Sequence, residues 1–247
     1  MNVVIFSGTT EGRTLAARLA DLGAAVTVSV ATPLGREEQG EMAGVTVHCG
    51  RLLPAEMAAL LRGADICIDA THPYAVEATR NISAAAEAAG VEYHRLLRKP
   101  SELPEGSLVF DSAAEAAAAL TGQVGNVLLT TGAKELAAFS AIDPARLYPR
   151  VLPTAEGIAA CEAVAIPHRN IIAMQGPFSQ QLNEVLLRQF SIEYLVTKDG
   201  GAAGGFAEKA AAAQVVGVRL VVLRRPPEIG EDEAAILRRC KEVLGCS

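Results

Sequence analysis

Residues that could take part in binding or catalysis fall where the predicted strands of this chain end. Five such segments combine glycine with hydroxyl, amide or basic side chains, namely Ser7–Arg13, Thr71–Tyr74, Thr130–Lys134, Gln175–Ser179 and Thr197–Gly205. Strand-interior and helix-facing positions are almost uniformly aliphatic. Because folding does not require polar groups at one end of each strand, the set indicates a ligand site along a sheet edge.

The first of these segments is typical of the opening of a nucleotide-binding α/β fold. An apolar run, Asn2–Phe6, stops at a glycine turn, and a helical pattern begins at once. Small residues let the N–H groups of a helix N-terminus approach a phosphate, which the helix dipole also favours. Gly8 and Gly12 are spaced G-x-x-x-G, so the dinucleotide fingerprint G-x-G-x-x-G is matched in part. A turn that binds nothing is the alternative.

The end of the second predicted strand bears on which nicotinamide cofactor would bind. In an NAD site, an acidic residue near this point usually holds the ribose hydroxyls. After the strand Ala25–Ala31, no carboxylate occurs before Glu37, whereas Thr32 and Arg36 are suited to a 2′-phosphate. The pattern therefore favours NADPH, with NADH as the alternative cofactor and a solvated loop as the alternative role of Arg36.

Thr71 and His72 follow another buried run, Asp65–Asp69, and precede a predicted helix, Ala75–Ala89. This arrangement predicts both side chains at the carboxyl edge of the sheet, where open α/β sheets bind ligands. The alternative is structural, with Thr71 capping the helix and His72 packing against the turn.

Three cations of the second half of the chain, Lys134, Arg150 and Lys198, also follow or end predicted strands. On an acidic protein their placement predicts a ligand that bears several carboxylates. Each could instead be a surface cation, and Lys198 could pair with Asp199. The glycines of Gly200–Gly205 allow a flat or anionic ligand to approach the backbone, or form an ordinary loop or lid.

Composition excludes several classes of function. The 247-residue chain carries 28 acidic and 22 basic residues, so its net charge of −6 argues against a chain-wide nucleic-acid or membrane-surface role. No signal peptide or bilayer-spanning apolar run is found, and five cysteines without C-x-x-C spacing indicate reduced thiols, so we expect a cytoplasmic protein. The four histidines lack metal-ligand spacing, so no metal site is predicted.

One short match to an enzyme family is rejected on geometry. Tyr194 and Lys198 have the spacing of the catalytic pair of short-chain dehydrogenases, which requires a helix. The segment is predicted to be a strand, in which the two side chains would stand roughly 13 Å apart.

Strands alternate with helices along the whole chain, which predicts an α/β fold with parallel sheets. We expect two Rossmann-like domains, covering residues 1–98 and 105–247, with a hinge at Lys99–Ser107. We also expect the strand ends of the two sheets to face a shared cleft.

Six motifs of the chain, in the same order, resemble those of the precorrin-6A reductase family of corrin biosynthesis. They are Ser7-Gly-Thr-Thr-Glu-Gly-Arg13, Asp69-Ala-Thr-His-Pro-Tyr-Ala75, Thr130-Thr-Gly-Ala-Lys134, Arg150-Val-Leu-Pro153, Met174-Gln-Gly-Pro-Phe-Ser179 and Thr197-Lys-Asp-Gly-Gly201. The chain departs from the family at Gly200, where serine is more usual. The resemblance implies a reductase that transfers hydride from a nicotinamide to one ring double bond of precorrin-6A or cobalt-precorrin-6A.

The resemblance also implies roles for individual residues. The N-terminal domain would bind the cofactor through Gly8, Thr9, Thr10, Glu11, Gly12, Arg13, Thr32, Arg36, Thr71 and His72. The C-terminal domain would hold the tetrapyrrole, a flat polycarboxylate, through Lys134, Arg150, Gln175, Gly176, Pro177, Phe178, Ser179, Lys198, Gly200 and Gly201. Lys198 and Asp199 are the candidate proton donors, with water or a substrate carboxylate as alternatives.

Two other functions stay open on the sequence. One is a non-catalytic sensor that binds NADP or a tetrapyrrole, and the other is a dehydrogenase of another small substrate. The sequence does not reveal whether the substrate contains cobalt, nor the oligomeric state of the protein.

Overall fold

A computed structural model describes residues 1–98, 101–201 and 204–245. Lys99 and Pro100 of the predicted hinge, and Ala202 and Ala203 of the glycine-rich segment, lie outside the described residues. The chain divides into two units: unit 1 comprises Met1–Lys99 and Pro226–Ser247, and unit 2 comprises Pro100–Arg225.

Strands and helices alternate in both units. In chain order they are β1 (Asn2–Phe6), α1 (Thr10–Asp21), β2 (Ala25–Val30), α2 (Pro33–Gln39), β3 (Val45–Cys49), α3 (Pro54–Leu61), β4 (Ile66–Asp69), α4 (Val76–Ala89), β5 (Glu92–Arg95), β6 (Leu108–Phe110), α5 (Ala113–Thr121), β7 (Asn126–Leu129), β8 (Leu147–Val151), α6 (Ala155–Ala163), β9 (Ile172–Ala173), α7 (Gln180–Gln189), β10 (Ile192–Lys198), α8 (Phe206–Val216), β11 (Arg219–Leu223) and α9 (Glu233–Leu244). Short 3₁₀ helices span Ala133–Phe139, Pro144–Arg146 and His168–Asn170.

Unit 1 is built on a five-stranded sheet of order β3-β2-β1-β4-β5 in which neighbouring strands are parallel. Side chains of β1 alternate between its faces, so Val3 and Ile5 pack with α1 whereas Val4 and Phe6 pack with α3 and α4. The chain runs outward from β1 to β3 and returns to β4 on the other side of β1. The strand order therefore reverses between β1 and β4.

The last helix belongs with unit 1, which differs from the predicted C-terminal domain 105–247. Ile236 and Cys240 of α9 are completely buried in the cluster that α1 forms on the sheet. The approach to α9 is also tied to unit 1, because Leu97 N–H donates to Glu231 O at 2.8 Å. An amphipathic helix buries its apolar face wherever an apolar surface is open, and this sheet face offers one.

Unit 2 contains a six-stranded sheet of order β6-β11-β10-β7-β8-β9, also with parallel neighbours. One face is covered by α5, α6 and the first 3₁₀ helix, and the other face by α7 and α8. Here the order reverses between β7 and β10. Two Rossmann-like domains with parallel sheets are thus confirmed. None of the helices formed by the described residues is long and apolar enough to cross a membrane.

Candidate functional site

The first two polar segments lie together at the reversal point of unit 1. Phe6, the last residue of β1, pairs with Asp69, the last residue of β4, and Ala70 N–H donates to Phe6 O at 2.8 Å. Ser7–Arg13 and Thr71–Tyr74 therefore leave the sheet from adjacent strand ends. This is the position at which open α/β sheets bind their ligands.

The turn into α1 brings the helix unusually close to the strand ends. Thr9 caps the helix, because its Oγ1 accepts from Gly12 N–H at 3.1 Å and donates to Ala70 O at 2.8 Å. A Cβ on Gly12 would lie 2.4 Å from Ser7 Oγ and 2.9 Å from Ala70 Cβ. The exposed Gly8 adopts a φ of +134°, and nothing lies within 4 Å of where its Cβ would be.

These features fit the pyrophosphate of a dinucleotide. The Thr9 side chain caps one N–H group of the first helical turn, so others face the turn without an intrahelical acceptor. Ser7 Oγ is buried and has no hydrogen-bond partner within the described chain. The open space at Gly8, the exposed Thr10 and the helix dipole leave room and positive potential for an anion.

Two charged residues of the same segment are engaged inside unit 1. Glu11 forms an ion pair with Arg98 at 2.9 Å, which offsets the negative charge that an incoming phosphate would meet. Arg13 Nη1 donates to Glu38 O at 2.7 Å and so links α1 to the end of α2.

Arg36 belongs to a helix, α2, that the sequence pattern did not predict, and Thr32 lies at the start of this helix. Thr32 caps α2, since its Oγ1 accepts from Gly35 N–H at 3.0 Å. Arg36 lies one turn later and its side chain is exposed. Both residues follow β2, whose end neighbours that of β1, so they lie where the ribose of a dinucleotide is usually held.

Thr71 is fixed by a buried network that the sequence analysis missed. Thr71 N–H and Oγ1 both donate to Asp69 Oδ1, at 2.9 and 2.7 Å. Arg95 Nη1 donates to the same Asp69 oxygen at 2.7 Å and to Thr71 Oγ1 at 3.0 Å. Tyr93 OH donates to Asp69 Oδ2 at 3.2 Å, and burial, with the Asp69 charge, raises the pKa of Tyr93.

The network extends to residues distant in sequence. Arg95 Nε donates to Glu228 Oε1 at 3.0 Å, so the segment before α9 helps to hold the end of β5. His72 Nδ1 accepts from Tyr74 N–H at 3.4 Å, and the two rings lie 5.5 Å apart. An acidic residue that ends a buried strand, as Asp69 does, was the one available signal for this network.

Two further segments meet at the reversal point of unit 2. Leu129 of β7 pairs with Val196 of β10, and Thr130 N–H and Oγ1 both donate to Val196 O, at 2.9 and 2.8 Å. Thr131 Oγ1 is buried without a hydrogen-bond partner among the residues that the structure describes. Lys134 follows on the 3₁₀ helix and is exposed.

The two candidate proton donors are the last residue of β10, Lys198, and the residue that follows it, Asp199. Lys198 Nζ lies 2.8 Å from Glu135 Oε1. Asp199 is buried, and its Oδ1 accepts from Gly201 N–H at 3.3 Å and pairs with Arg225 Nη2 at 3.3 Å. Gly200 and Gly201 are buried beside it.

The Arg150 side chain is buried inside unit 2 and does not lie on the surface. Its guanidinium lies 4.0 Å from the centroid of the Phe178 ring, and its Nη1 donates to Asn183 Oδ1 at 2.8 Å. Burial lowers the pKa of Arg150 to about 10.

The loop Gln175–Ser179 is shaped around the Phe178 ring. A Cβ on Gly176 would approach that ring to 3.0 Å, and Ser179 caps α7 by accepting from Leu182 N–H at 3.2 Å. Gln175 and Pro177 are exposed.

Lys209, in the first turn of α8, is a second buried cation of unit 2 and was not found from the sequence. Its Nζ donates to Gly204 O at 3.0 Å. Burial and then the charge of Arg150 lower the pKa of Lys209 to about 8, while Glu208 raises it. Nothing in the alanine-rich sequence around Lys209 distinguishes it from a surface lysine.

Within the described parts of the chain, no three His, Cys, Asp or Glu side chains are grouped so that they could hold a metal ion. The groups near the two reversal points include glycine turns, helix N-termini and cations, which are groups that can bind an anion.

Comparisons with known proteins agree over the full length. A family model described as "Precorrin-6x reductase CbiJ/CobK" matches residues 2–245. A cobalt-precorrin-6A reductase of Salmonella typhimurium is 34% identical, covering 100% of this chain and 98% of that protein. A precorrin-6A reductase of Rhodobacter capsulatus is 31% identical, with coverages of 95% and 92%. A solved structure, "CobK precorrin-6A reductase", has 26% identity and a TM-score of 0.78, covering 98% of this chain and 97% of that one.

Proposed function

Because the chain belongs to the precorrin-6x reductase CbiJ/CobK family, we propose that it reduces one ring double bond of precorrin-6A or cobalt-precorrin-6A. The observation that carries this proposal is the family match over residues 2–245. Relatives that align with nearly the whole chain are named for this reduction, with and without cobalt. The enzyme is accordingly an oxidoreductase that acts on a carbon–carbon double bond.

Unit 1 is the proposed binding domain for a nicotinamide cofactor, which supplies the hydride when bound. The turn from Gly8 to Arg13 holds the pyrophosphate through backbone N–H groups. Thr71 and His72 line the neighbouring strand end. The Thr71 hydroxyl is already hydrogen-bonded to Asp69 and Arg95, so the proposed role of Thr71 is to fix the shape of this loop.

NADPH is the proposed form of the cofactor. No carboxylate ends β2, and Thr32 with the exposed Arg36 stands where the 2′-phosphate of NADPH would lie. An arginine there adds a charge-assisted hydrogen bond that NADH cannot accept.

This preference predicts that Arg36→Ala weakens NADPH binding by roughly tenfold or more and leaves NADH binding nearly unchanged. Arg62→Ala, which removes an exposed arginine after α3, is the matched control and leaves both affinities unchanged. Titration of cofactor fluorescence gives both dissociation constants. Equal losses for NADPH and NADH would remove the basis for the preference.

Unit 2 is the proposed binding domain for the tetrapyrrole. Lys134, Arg150 and Lys198 supply positive charge for its carboxylates, while the Gln175–Ser179 loop and Gly200 with Gly201 provide its surface. Hydride transfer to a carbon–carbon double bond also requires a proton. Asp199 Oδ1 already accepts from N–H groups of Ser101, Gly201 and Arg225, so Lys198 is the proposed donor of the two.

The proposed function is tested by mixing the purified protein with NADPH and either precorrin-6A or cobalt-precorrin-6A. We expect one NADPH oxidised for each macrocycle, with a product that carries two additional hydrogens by mass spectrometry. Binding of both molecules without oxidation would indicate a sensor instead. Oxidation with simple ketones and none with either macrocycle would indicate a dehydrogenase of another substrate.

A further inference from the structure

Unit 2 buries two cations, and neither of them forms an ion pair with a described residue, although the Glu208 carboxylate acts on Lys209 from a greater distance. Lys209 and Arg150 are each 8% exposed. Their hydrogen-bond acceptors, Gly204 O and Asn183 Oδ1, are neutral, and neither cation forms an ion pair with any residue that the structure describes. Buried lysine and arginine side chains are normally paired with a carboxylate, because removing a charge from water is costly.

The surroundings hold the Arg150 guanidinium in one position. Asn183 Nδ2 donates to Ser179 O at 2.8 Å, so the amide oxygen of Asn183 is turned toward Arg150. The opposite partner is the face of Phe178. An amide oxygen and an aromatic ring orient and attract the guanidinium, but neither carries a negative charge to balance it.

Lys209 lies at the start of one helix, and Arg150, on β8, contacts the start of the helix packed against it. Asn183 belongs to the first turns of α7 and Lys209 to the first turn of α8, and both helices pack on the same sheet face. The two cations are close enough for the charge of Arg150 to lower the pKa of Lys209, against the opposite effect of Glu208. The positive ends of both helix dipoles add to the same region.

We propose that Lys209 and Arg150 together bind one carboxylate of the tetrapyrrole substrate. The inference rests on the proposed function for the identity of the ligand, and it adds Lys209 to the residues that recognise it. A carboxylate there would compensate two buried charges at once and could accept from both Nζ and the guanidinium. Because such an interaction acts on binding, Lys209 is a specificity residue and takes no part in the chemical step.

The test compares wild-type protein with Lys209→Met, Lys209→Arg and Lys241→Met. Lys209→Met removes the charge and keeps the apolar stem, whereas Lys241→Met removes an exposed lysine of α9 and serves as the matched control. Two quantities are measured: KM and kcat for precorrin-6A, and the dissociation constant of uroporphyrin, a macrocycle with carboxylates on its rim, which needs no turnover. Thermal unfolding checks that each variant is folded.

We expect Lys209→Met to raise KM and to weaken uroporphyrin binding roughly tenfold to hundredfold, with kcat changed little. Lys209→Arg restores most of the affinity, and Lys241→Met behaves as wild type. A folded Lys209→Met protein with wild-type KM and uroporphyrin affinity would overturn the inference while leaving the reductase function intact. If wild type oxidises no NADPH with either macrocycle, but uroporphyrin binding still depends on Lys209, the carboxylate site stands and the proposed reaction fails. If wild type neither oxidises NADPH with a macrocycle nor binds uroporphyrin, both the reductase function and the carboxylate site are overturned.

Discussion

Gly12 shows how the absence of one methyl group shapes the start of α1. A Cβ there would lie 2.9 Å from Ala70 Cβ, a contact that no rotation of either group can relieve. The helix therefore reaches the ends of β1 and β4 only because position 12 has no side chain.

Gly12→Ala is expected to lower the free energy of unfolding by about 1–3 kcal/mol, the usual cost of overpacking, and to weaken NADPH binding as the helix start moves away. Chemical denaturation and NADPH fluorescence titration measure the two effects, and the absence of tryptophan from the chain leaves the cofactor signal clear. Gly122→Ala is the control, since nothing lies within 4 Å of a Cβ at that position. Wild-type NADPH affinity in Gly12→Ala would contradict the proposed pyrophosphate site.

Lys209 should make the stability of the protein depend on pH in an unusual direction. The pKa of Lys209 is lowered from 10.5 to about 8 in the folded state. The unfolded chain therefore holds the proton more tightly than the folded protein, and this difference lowers the free energy of unfolding. The penalty is fully present below about pH 8 and disappears as pH rises toward 10.5, and a shift of this size corresponds to about 3 kcal/mol.

We therefore expect Lys209→Met to be more stable than wild type at neutral pH, with the difference shrinking as pH rises above about 8. Urea unfolding of both proteins across this range measures the difference, and Lys241→Met should follow wild type throughout. A Lys209→Met protein less stable than wild type at neutral pH would mean that the buried charge is already compensated.

At the scale of elements, the sequence predicted the positions of the strands better than the packing of the helices. Alternating apolar patterns marked the strands, and the polar strand ends marked Arg150 and Thr71. The helix α2 was missed because Pro33 and Gly35 disfavour a helix interior, although Pro33 lies at the helix start, where proline is tolerated. Lys209 and Arg95 could not be found because burial and ion pairing arise from tertiary contacts.

The helix α9 illustrates the same point and can be tested directly. Ile236→Ala is expected to lower the free energy of unfolding by about 2–5 kcal/mol, since Ile236 is fully buried in the core of unit 1. Ile229→Ala is the matched control, because Ile229 lies in the same segment and is 97% exposed. Denaturant unfolding distinguishes the two variants. Equal, small effects would show that α9 does not pack on this sheet.

At the scale of the whole molecule, unit 1 is assembled from two pieces of chain, before and after unit 2. The sequence suggested a single boundary because the alternation of strands and helices continues without a break to the last helix. Only the contacts of α9 reveal its partner. That the two sheet edges face a shared cleft stays a prediction.

A chain that stops after Arg225 should therefore lose protection in unit 1 while retaining it in unit 2. We expect faster amide hydrogen exchange in β1–β5, whose core loses Ile236 and Cys240, and unchanged exchange in β7 and β10. Exchange followed by mass spectrometry locates the change, with the full-length Ile229→Ala protein as a control. Uniform loss of protection across both units would contradict the division.

The two-piece construction of unit 1 also bears on how the protein matures during translation. Residues 100–225 leave the ribosome before the segment that completes the first sheet's cover, so the middle of the chain can reach its native form earlier than the beginning. Until α9 is synthesised, one apolar face of the unit 1 sheet stays incompletely covered. Unit 1, the proposed cofactor-binding unit, is consequently expected to complete its folding last.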